Sequence, residues 1–553
     1  MILKMCLNKL IKLFSFLTIL FISEFSMAQT PTKYWVKFKN KTGSPYSIST
    51  PSVYLSAKSI TRRATQGIAI DLTDIPVNQS YINLVNATGA TVLQKSKWLN
   101  AAIVLINSPS QLSAINSLTC VLNSSPVGRF KKITSETFTD KPIDSYKKAN
   151  ASTAAYNYGP SFTQANQIGA DCMHNLGFRG QNIMIAVIDD GFNQADVNPV
   201  FDSLRNEGRL LGTRDIVAGN TAVFEDDSHG AMVLSLMAGN SPGNLIGTAP
   251  KANYWLLRSE DVFSEKIIEE ANWVVAAELA DSLGADITTT SLGYTTFDNP
   301  TDNHIYAHLN GQTSVASIAA TMAARKGIIV LNAAGNEGSG SWLYIGIPAD
   351  ADSILSIGSV NGSGIHSNFS SQGPTADGRI KPDVSTMGEG SYVCQPGYSF
   401  SAGNGTSFAC PIMAGAVACL MQAHPTKTNM QLINAIKATA SKSTAPDNLY
   451  GWGIPNVCSA NAYLQTVSLN EKRFESDLKL YPNPAKTSIS FELKYTINKV
   501  QLTDVFGKHI DFTLTSHDIN HYKLNFNSSL ANGVYFISIH TANGIVNSKF
   551  IKE

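Results

Sequence analysis

Runs of like charge are missing from this chain of 553 residues, in which 42 lysines and arginines balance 41 acidic residues and leave a formal net charge of +1. Without a basic stripe the chain has no electrostatic footprint for nucleic acid, so its partners are not chosen by bulk charge. Cysteine is scarce. Of the seven, Cys6 lies near the amino-terminus, Cys120 precedes the central region, and Cys172, Cys394, Cys410, Cys419 and Cys458 fall within it. No CxxC spacing occurs, so a zinc site is not indicated, and an odd number of central cysteines makes no full disulfide framework. A bridge or two stays open, with the pairing unspecified. Beyond the amino-terminus no run of about 18 consecutive apolar residues suggests a membrane-spanning helix. Internal repeats are absent too. Charged residues make up only 15% and hydrophobic ones 43%, so the chain can bury large cores and should divide into several domains.

What is present comes in blocks. Residues 1–28 run from Lys4, Lys9 and Lys12 through the apolar stretch Leu13 to Ile22 to Ser26, Met27 and Ala28, the basic, apolar and small-residue order of a secretory signal peptide. Residues 29–140 hold a strand-like alternation, "KYWVKFKNK", and then "WLNAAIVLINSPSQLSAINSLTCVLNSSPVGRF", read as strand, short helix and strand. The polar stretch 141–159 has linker composition. Residues 160–465 alternate short apolar runs such as "IMIAVID" and "IIVLNAAGN" with helical stretches such as "SEKIIEEANWVVAAELADSLG". That alternation predicts an α/β fold with a doubly wound parallel sheet, its strands buried on both faces. Residues 475–553 change texture to short alternating runs punctuated by Asn, Gly and Pro, the pattern of a small antiparallel β-sandwich.

Four pieces of the central block bear chemistry. "MIAVIDDGF" ends a strand at Asp189, where the carboxyl edge of a parallel sheet delivers side chains to a site. "DSHGAMVLSLMAG" sets His229 just before a helix of small and apolar residues. "GIIVLNAAGNEG" opens from a buried strand into a loop at Asn336. "GNGTSFACP" is a helix entrance carrying Ser407, with Pro411 tolerable in a first turn. Singly, each has a plain reading: a turn carboxylate, a structural histidine, a turn asparagine, a helix N-cap serine. Together they occur in the order Asp, His, Asn, Ser, which suits an activated serine nucleophile.

On these motifs the chain resembles the subtilisin family of serine peptidases: "VIDDGF", "HGAMVLSLMAG" with "IGTAP", and "GTSFACP" match its Asp, His and Ser motifs. "TTSLG", "AAGNEG", "FSSQGPTADGRIKPDV" and "YGWGIPN" match further landmarks over about 300 residues in order. The resemblance implies a subtilisin-like peptidase domain with a triad of Asp189, His229 and Ser407. It also implies that Asn336 donates to the oxyanion, and that Ser291, Leu292, Gly293, Ala333, Ala334 and Gly335 line a cleft for protein or peptide substrates. Three positions depart from the pattern: Asp190 stands where Ser or Thr is usual, Ala231 replaces a Thr, and "VSTMGEG" follows Pro382 and Asp383.

The flanks extend the resemblance. Residues 29–140 are similar to the family's inhibitory propeptide, of α+β type, and the tail, on "LYPNPAKTSISFEL", "DVFGK" and "NGVYFISI", to the type IX secretion sorting domain of Bacteroidetes. The expected product is a secreted or surface-held serine endopeptidase, with its own propeptide and the secretion machinery as partners. The competing readings are a catalytically silent subtilisin-like binding or adhesion protein, and an esterase, although no Gly-x-Ser-x-Gly pentapeptide frames Ser407. No cofactor or catalytic metal is expected. "FEDDSHG" and "DNPTDNH" offer oxygen ligands for a structural calcium, with solvated loops the plainer reading.

Overall fold

A computed structural model describes residues 32–127, 156–474 and 478–553, less the stretches 494–496, 506–507, 517–519, 527–529 and 542–543. The expected signal peptide and most of the expected linker lie outside the described residues. The chain divides into two units, Met1–Asn461 and Ala462–Glu553.

The first unit begins with an antiparallel sheet of β1 (Thr32–Phe38), β2 (Thr91–Ser96), β3 (Ala101–Ile106) and β4 (Val121–Pro126), in the order β2-β3-β1-β4. Three helices accompany it: α1 (Ala57–Gln66), α2 (Gln79–Ala87) and α3 (Pro109–Ser117). Ser56, Asn78 and Ser108 cap their amino-termini by accepting from first-turn backbone N–H groups. One sheet face closes over Val36, Val85, Val104 and Ile115. The other brings Trp35, Ala101 and Ile103 against Ala271.

Ala271 belongs to the helix Ile268–Leu283, so this amino-terminal block docks on the larger fold that follows. That fold is one sheet of eight strands: β5 (Met184–Asp189), β6 (Leu210–Asp215), β7 (Asn253–Arg258), β8 (Ile287–Thr290), β9 (Ile329–Ala333), β10 (Leu355–Asn361), β11 (Val384–Gln395) and β12 (Ser399–Asn404). Their order is β12-β11-β10-β9-β8-β5-β7-β6. All neighbours are parallel except β11 and β12. Only Pro396–Tyr398 joins that last pair, a link long enough for a hairpin and too short for a crossover. Every residue of β5, β8 and β9 is buried, because helices cover both faces: α4 (His229–Ala238), α5 (Ile268–Leu283), α6 (Val315–Arg325) and α7 (Thr406–Ala423). Helix α7 is apolar on all sides, as a helix buried all round must be.

The chain leaves β5 for β7 and β6 on one side, then returns to β8 on the other. That reversal makes a crevice at the carboxyl ends of β5 and β8, where open α/β sheets place ligands.

The docking of the first block is mostly polar. Arg62 and Arg63 of α1 pair with Asp281 of α5 at 2.6 and 2.8 Å, and Lys97 adds a third cation at 2.9 Å. Arg63 also reaches Asp74 at 2.7 Å. The Glu278 carboxylate accepts from the Ser96 hydroxyl and from the Lys97 and Trp98 N–H groups. Among the described residues one disulfide, Cys172–Cys458, spans 286 residues, while Cys120, Cys394, Cys410 and Cys419 are free and buried.

In the second unit, Ser488–Glu492, His521–Phe526 and Phe512–Ser516 form one three-stranded antiparallel sheet, and Ile497–Asp504, Gly533–Thr541 and Gly544–Lys552 form another. Alternate residues Tyr535, Ile537 and Ile539 point into a core shared with Phe491, Leu524 and Phe550.

Candidate active site

Asp189 is the last residue of β5 and is fully buried, so its carboxylate reaches the crevice from the sheet floor. His229 opens α4, and its Nδ1 lies 2.6 Å from Asp189 Oδ1. Two backbone details hold it there. The His229 N–H donates to Asp227 Oδ1 at 2.8 Å, and a Cβ on the next residue, Gly230, would stand 2.3 Å from the Gly191 carbonyl oxygen and 2.9 Å from Asp189 Cβ. Glycine alone lets α4 start so close to the strand end. Burial pulls the His229 pKa down, but the facing Asp189 charge and its hydrogen bond, with Asp190 and Asp227 beyond, raise it overall. His229 and Asp189 therefore form a polarised pair.

Ser407 is the second residue of α7, after Gly405 at the N-cap and Thr406. The N-cap reading is thus excluded for Ser407. As a first-turn amide its N–H has no intrahelical acceptor and joins the positive end of the helix. A Cβ on Gly405 would sit 2.7 Å from Ser407 Oγ and 3.7 Å from Asn336 Nδ2, so this glycine keeps open the space where hydroxyl and amide converge. Asn336 follows β9 and is steered by Thr406, whose N–H and Oγ1 both donate to Asn336 Oδ1, at 2.9 and 3.0 Å. With its oxygen so engaged, the amide nitrogen is the end left to face the serine. The ring of His229 lies 6.2 Å from that of Phe408, the residue after Ser407, and no hydrogen bond joins Nε2 to Ser407 Oγ in this structure.

The deciding comparison is with whole relatives. Subtilisin E of Bacillus subtilis (strain 168) is 30% identical over 354 residues, covering 63% of this chain and 82% of its own. The chain belongs to the subtilase family of serine peptidases. The Subtilase family model matches residues 180–453. Subtilisin of Bacillus pumilus is 32% identical over 299 residues, 53% of this chain and 96% of its own. Subtilisin Savinase of Lederbergia lenta is 27% identical over 297 residues, also 53% and 96%. The model for the peptidase S8 propeptide domain of Bacteroidota matches residues 33–148, so the block docked on α5 belongs to a subtilase propeptide. A secretion system C-terminal sorting domain matches residues 479–553, which marks this subtilase for export to the cell surface or beyond.

The expected cleft residues divide. Gly293 is exposed and Leu292 half-buried, whereas Ala333 and Ala334 are buried at the end of β9. Ser291 is buried, and its hydroxyl donates to the Ser407 carbonyl oxygen at 2.8 Å. Pro411 explains why. It lies inside α7, beyond the first turn where the sequence reading set it, and a proline there supplies no N–H to the carbonyl four residues back. That carbonyl is the one of Ser407, and Ser291 satisfies it instead.

Sequence reasoning missed this brace, as it missed the Thr406 grip on Asn336. A proline four residues after a helix-start serine was the available signal for the first; nothing local announces the second. In the two acidic loops some side chains are engaged within the protein: Asp226 pairs with Arg258 at 2.9 Å, Asp227 holds the His229 N–H, and Asn303 Oδ1 accepts from the Phe297 N–H at 2.7 Å, whereas Asp298 Oδ2 is buried without a partner. Among the described residues, the grouping of His, Cys, Asp and Glu tight enough for an ion is Asp189, Asp190 and His229.

Proposed function

We propose that this subtilase is an exported serine endopeptidase using Asp189, His229 and Ser407 as its triad. The observation that carries the reading is the 2.6 Å contact of His229 Nδ1 with Asp189, set beside a helix-start serine. Asp189 keeps the proton of neutral His229 on Nδ1 and leaves Nε2 as the base. As substrate closes the site, Nε2 takes the Ser407 proton while Oγ bonds to the scissile carbonyl carbon. The carbonyl oxygen becomes an oxyanion, met by Asn336 Nδ2 and the Ser407 N–H. Collapse expels the amine, which leaves with the proton from His229, and water attacks the acyl-enzyme by the same route in reverse. No cofactor enters these steps. An extended peptide would lie along 291–293 and 333–335, adding as a strand, with exposed Gly293 giving it backbone access.

Ser407→Ala tests this. Peptide hydrolysis should fall by several orders of magnitude, because triad members act as a unit, and the full-length variant should accumulate with its propeptide uncut. Hydrolysis at the parental rate would refute the assignment. If the parental protein itself lacked serine-dependent hydrolysis, the silent binding reading would take its place.

A further inference from the structure

Asp190 follows the carboxylate of the proposed triad, and the two side chains leave an unusual remainder. Asp189 Oδ1 accepts from His229 Nδ1 and, at 3.1 Å, from the Asp190 N–H. Asp189 Oδ2 is buried with no partner, and so is Asp190 Oδ1. One oxygen from each carboxyl and a His229 ring nitrogen lie within 4.8 Å of one another. Among the described residues no lysine or arginine side chain pairs with either carboxyl. Arg258 touches Asp190 only at its backbone carbonyl, through Nε at 3.0 Å, and spends Nη1 on Asp215 and Asp226. The other charged neighbours are Asp227, which is acidic, and His229, whose charge when protonated favours an ionised Asp190 but is outweighed by burial and by the charge of Asp189. Two ionised carboxylates here would set buried oxygens of like charge against each other without a donor between them.

We propose that Asp190 is held protonated and donates its carboxyl O–H to Oδ2 of Asp189, making it a positioning residue for the triad. The inference rests on the peptidase reading above. One proton settles the whole account: Oδ1 of Asp189 serves His229, Oδ2 serves Asp190, and both orphaned oxygens find a partner. Burial first, and then the charge of Asp189, push the Asp190 carboxyl up to about 8. A neutral Asp190 also spares His229 a second anion, which would bind its proton more tightly and spoil it as a base. Above that pH the donor is lost and the second charge appears, so kcat/KM should decline on the alkaline side.

The test compares Asp190→Ala and Asp190→Asn in enzyme that has matured by its own cleavage. Asp190→Ala should lower kcat by about tenfold or more, as expected for an unsatisfied partner of a buried carboxylate. Asp190→Asn, whose amide donates without ionising, should recover most of that loss and abolish the alkaline decline near pH 8. An Asn variant no faster than Ala, or one that keeps the alkaline limb, overturns the proposal. A second measurement needs no turnover: carboxyl 13C titration of full-length Ser407→Ala should give an Asp190 midpoint near 8. A midpoint in the ordinary range near 4 overturns the shared proton whatever the enzyme does. A midpoint near 8 in a protein without serine-dependent hydrolysis would instead remove the peptidase reading, and with it the catalytic purpose of Asp190, while upholding the proton.

Discussion

Asp281→Ala should detach the propeptide without touching hydrolysis. The side chain is fully buried on α5 beneath Arg62, Arg63 and Lys97, all within 2.9 Å. Burial alone would raise its pKa, but Lys97, Arg62 and Arg63 outweigh burial and lower it. Removing the carboxylate strands two buried guanidiniums, of which only Arg63 keeps an acidic partner, Asp74. Breaking a buried ion pair from one side costs about 3–5 kcal/mol. At about 1.4 kcal/mol per tenfold change, the propeptide should bind roughly 10² to several 10³ times more weakly. The assay is inhibition of the mature enzyme by added propeptide, with kcat and KM of the mature variant as control, since Asp281 contributes nothing to the crevice. The sign of the pH effect also follows. A depressed carboxyl pKa stabilises docking above its ordinary value near 4 and loses that contribution as pH falls below it. In the parental enzyme this term should fade only in acid, and in Asp281→Ala it should be absent. An inhibition constant within threefold of the parental value would refute the ion-pair account of docking.

Two further substitutions address the serine itself. Asn336→Ala should reduce kcat by roughly 10²–10³ with KM little changed, a magnitude established for the oxyanion asparagine of subtilisin and so borrowed from a relative; a stable variant with unreduced kcat would dismiss the oxyanion role. Ser291→Ala should leave the Ser407 carbonyl without a donor, at a cost of about 1–3 kcal/mol, read as a lower melting temperature together with a reduced kcat. Ser291→Thr, which keeps the hydroxyl, should restore both, and an unaffected Ser291→Ala would show that the carbonyl finds another partner.

Much of this protein was legible in one dimension because the physics is local. Apolar runs such as Met184–Asp189 and Ile329–Ala333 declare strands buried on both faces, and the alternation in Gly533–Thr541 declares a strand with one face buried. The motifs proposed to carry catalysis are legible for the same reason: an activated serine needs a particular residue at a strand end or a helix start, and each such place has a short signature. The proline in "GTSFACP" was visible, but its helical position was not, since a shift of a few residues decides whether a missing N–H matters.

Tertiary structure alone decided what depends on distant backbone meeting. Cys172 pairs with Cys458 and not with another cysteine because the fold brings together chain 286 residues apart. Arg62 and Arg63 look like solvated helix charges until Asp281 arrives from the far side of the chain. The task of Ser291 as a donor to Ser407 is invisible until Pro411 empties the carbonyl that it fills. The meaning of Asp190 changes most. In sequence it is one acid after another, and only the burial of Asp189 and of one Asp190 oxygen beside it, with a single imidazole and no lysine or arginine at hand, turns an added charge into a retained proton.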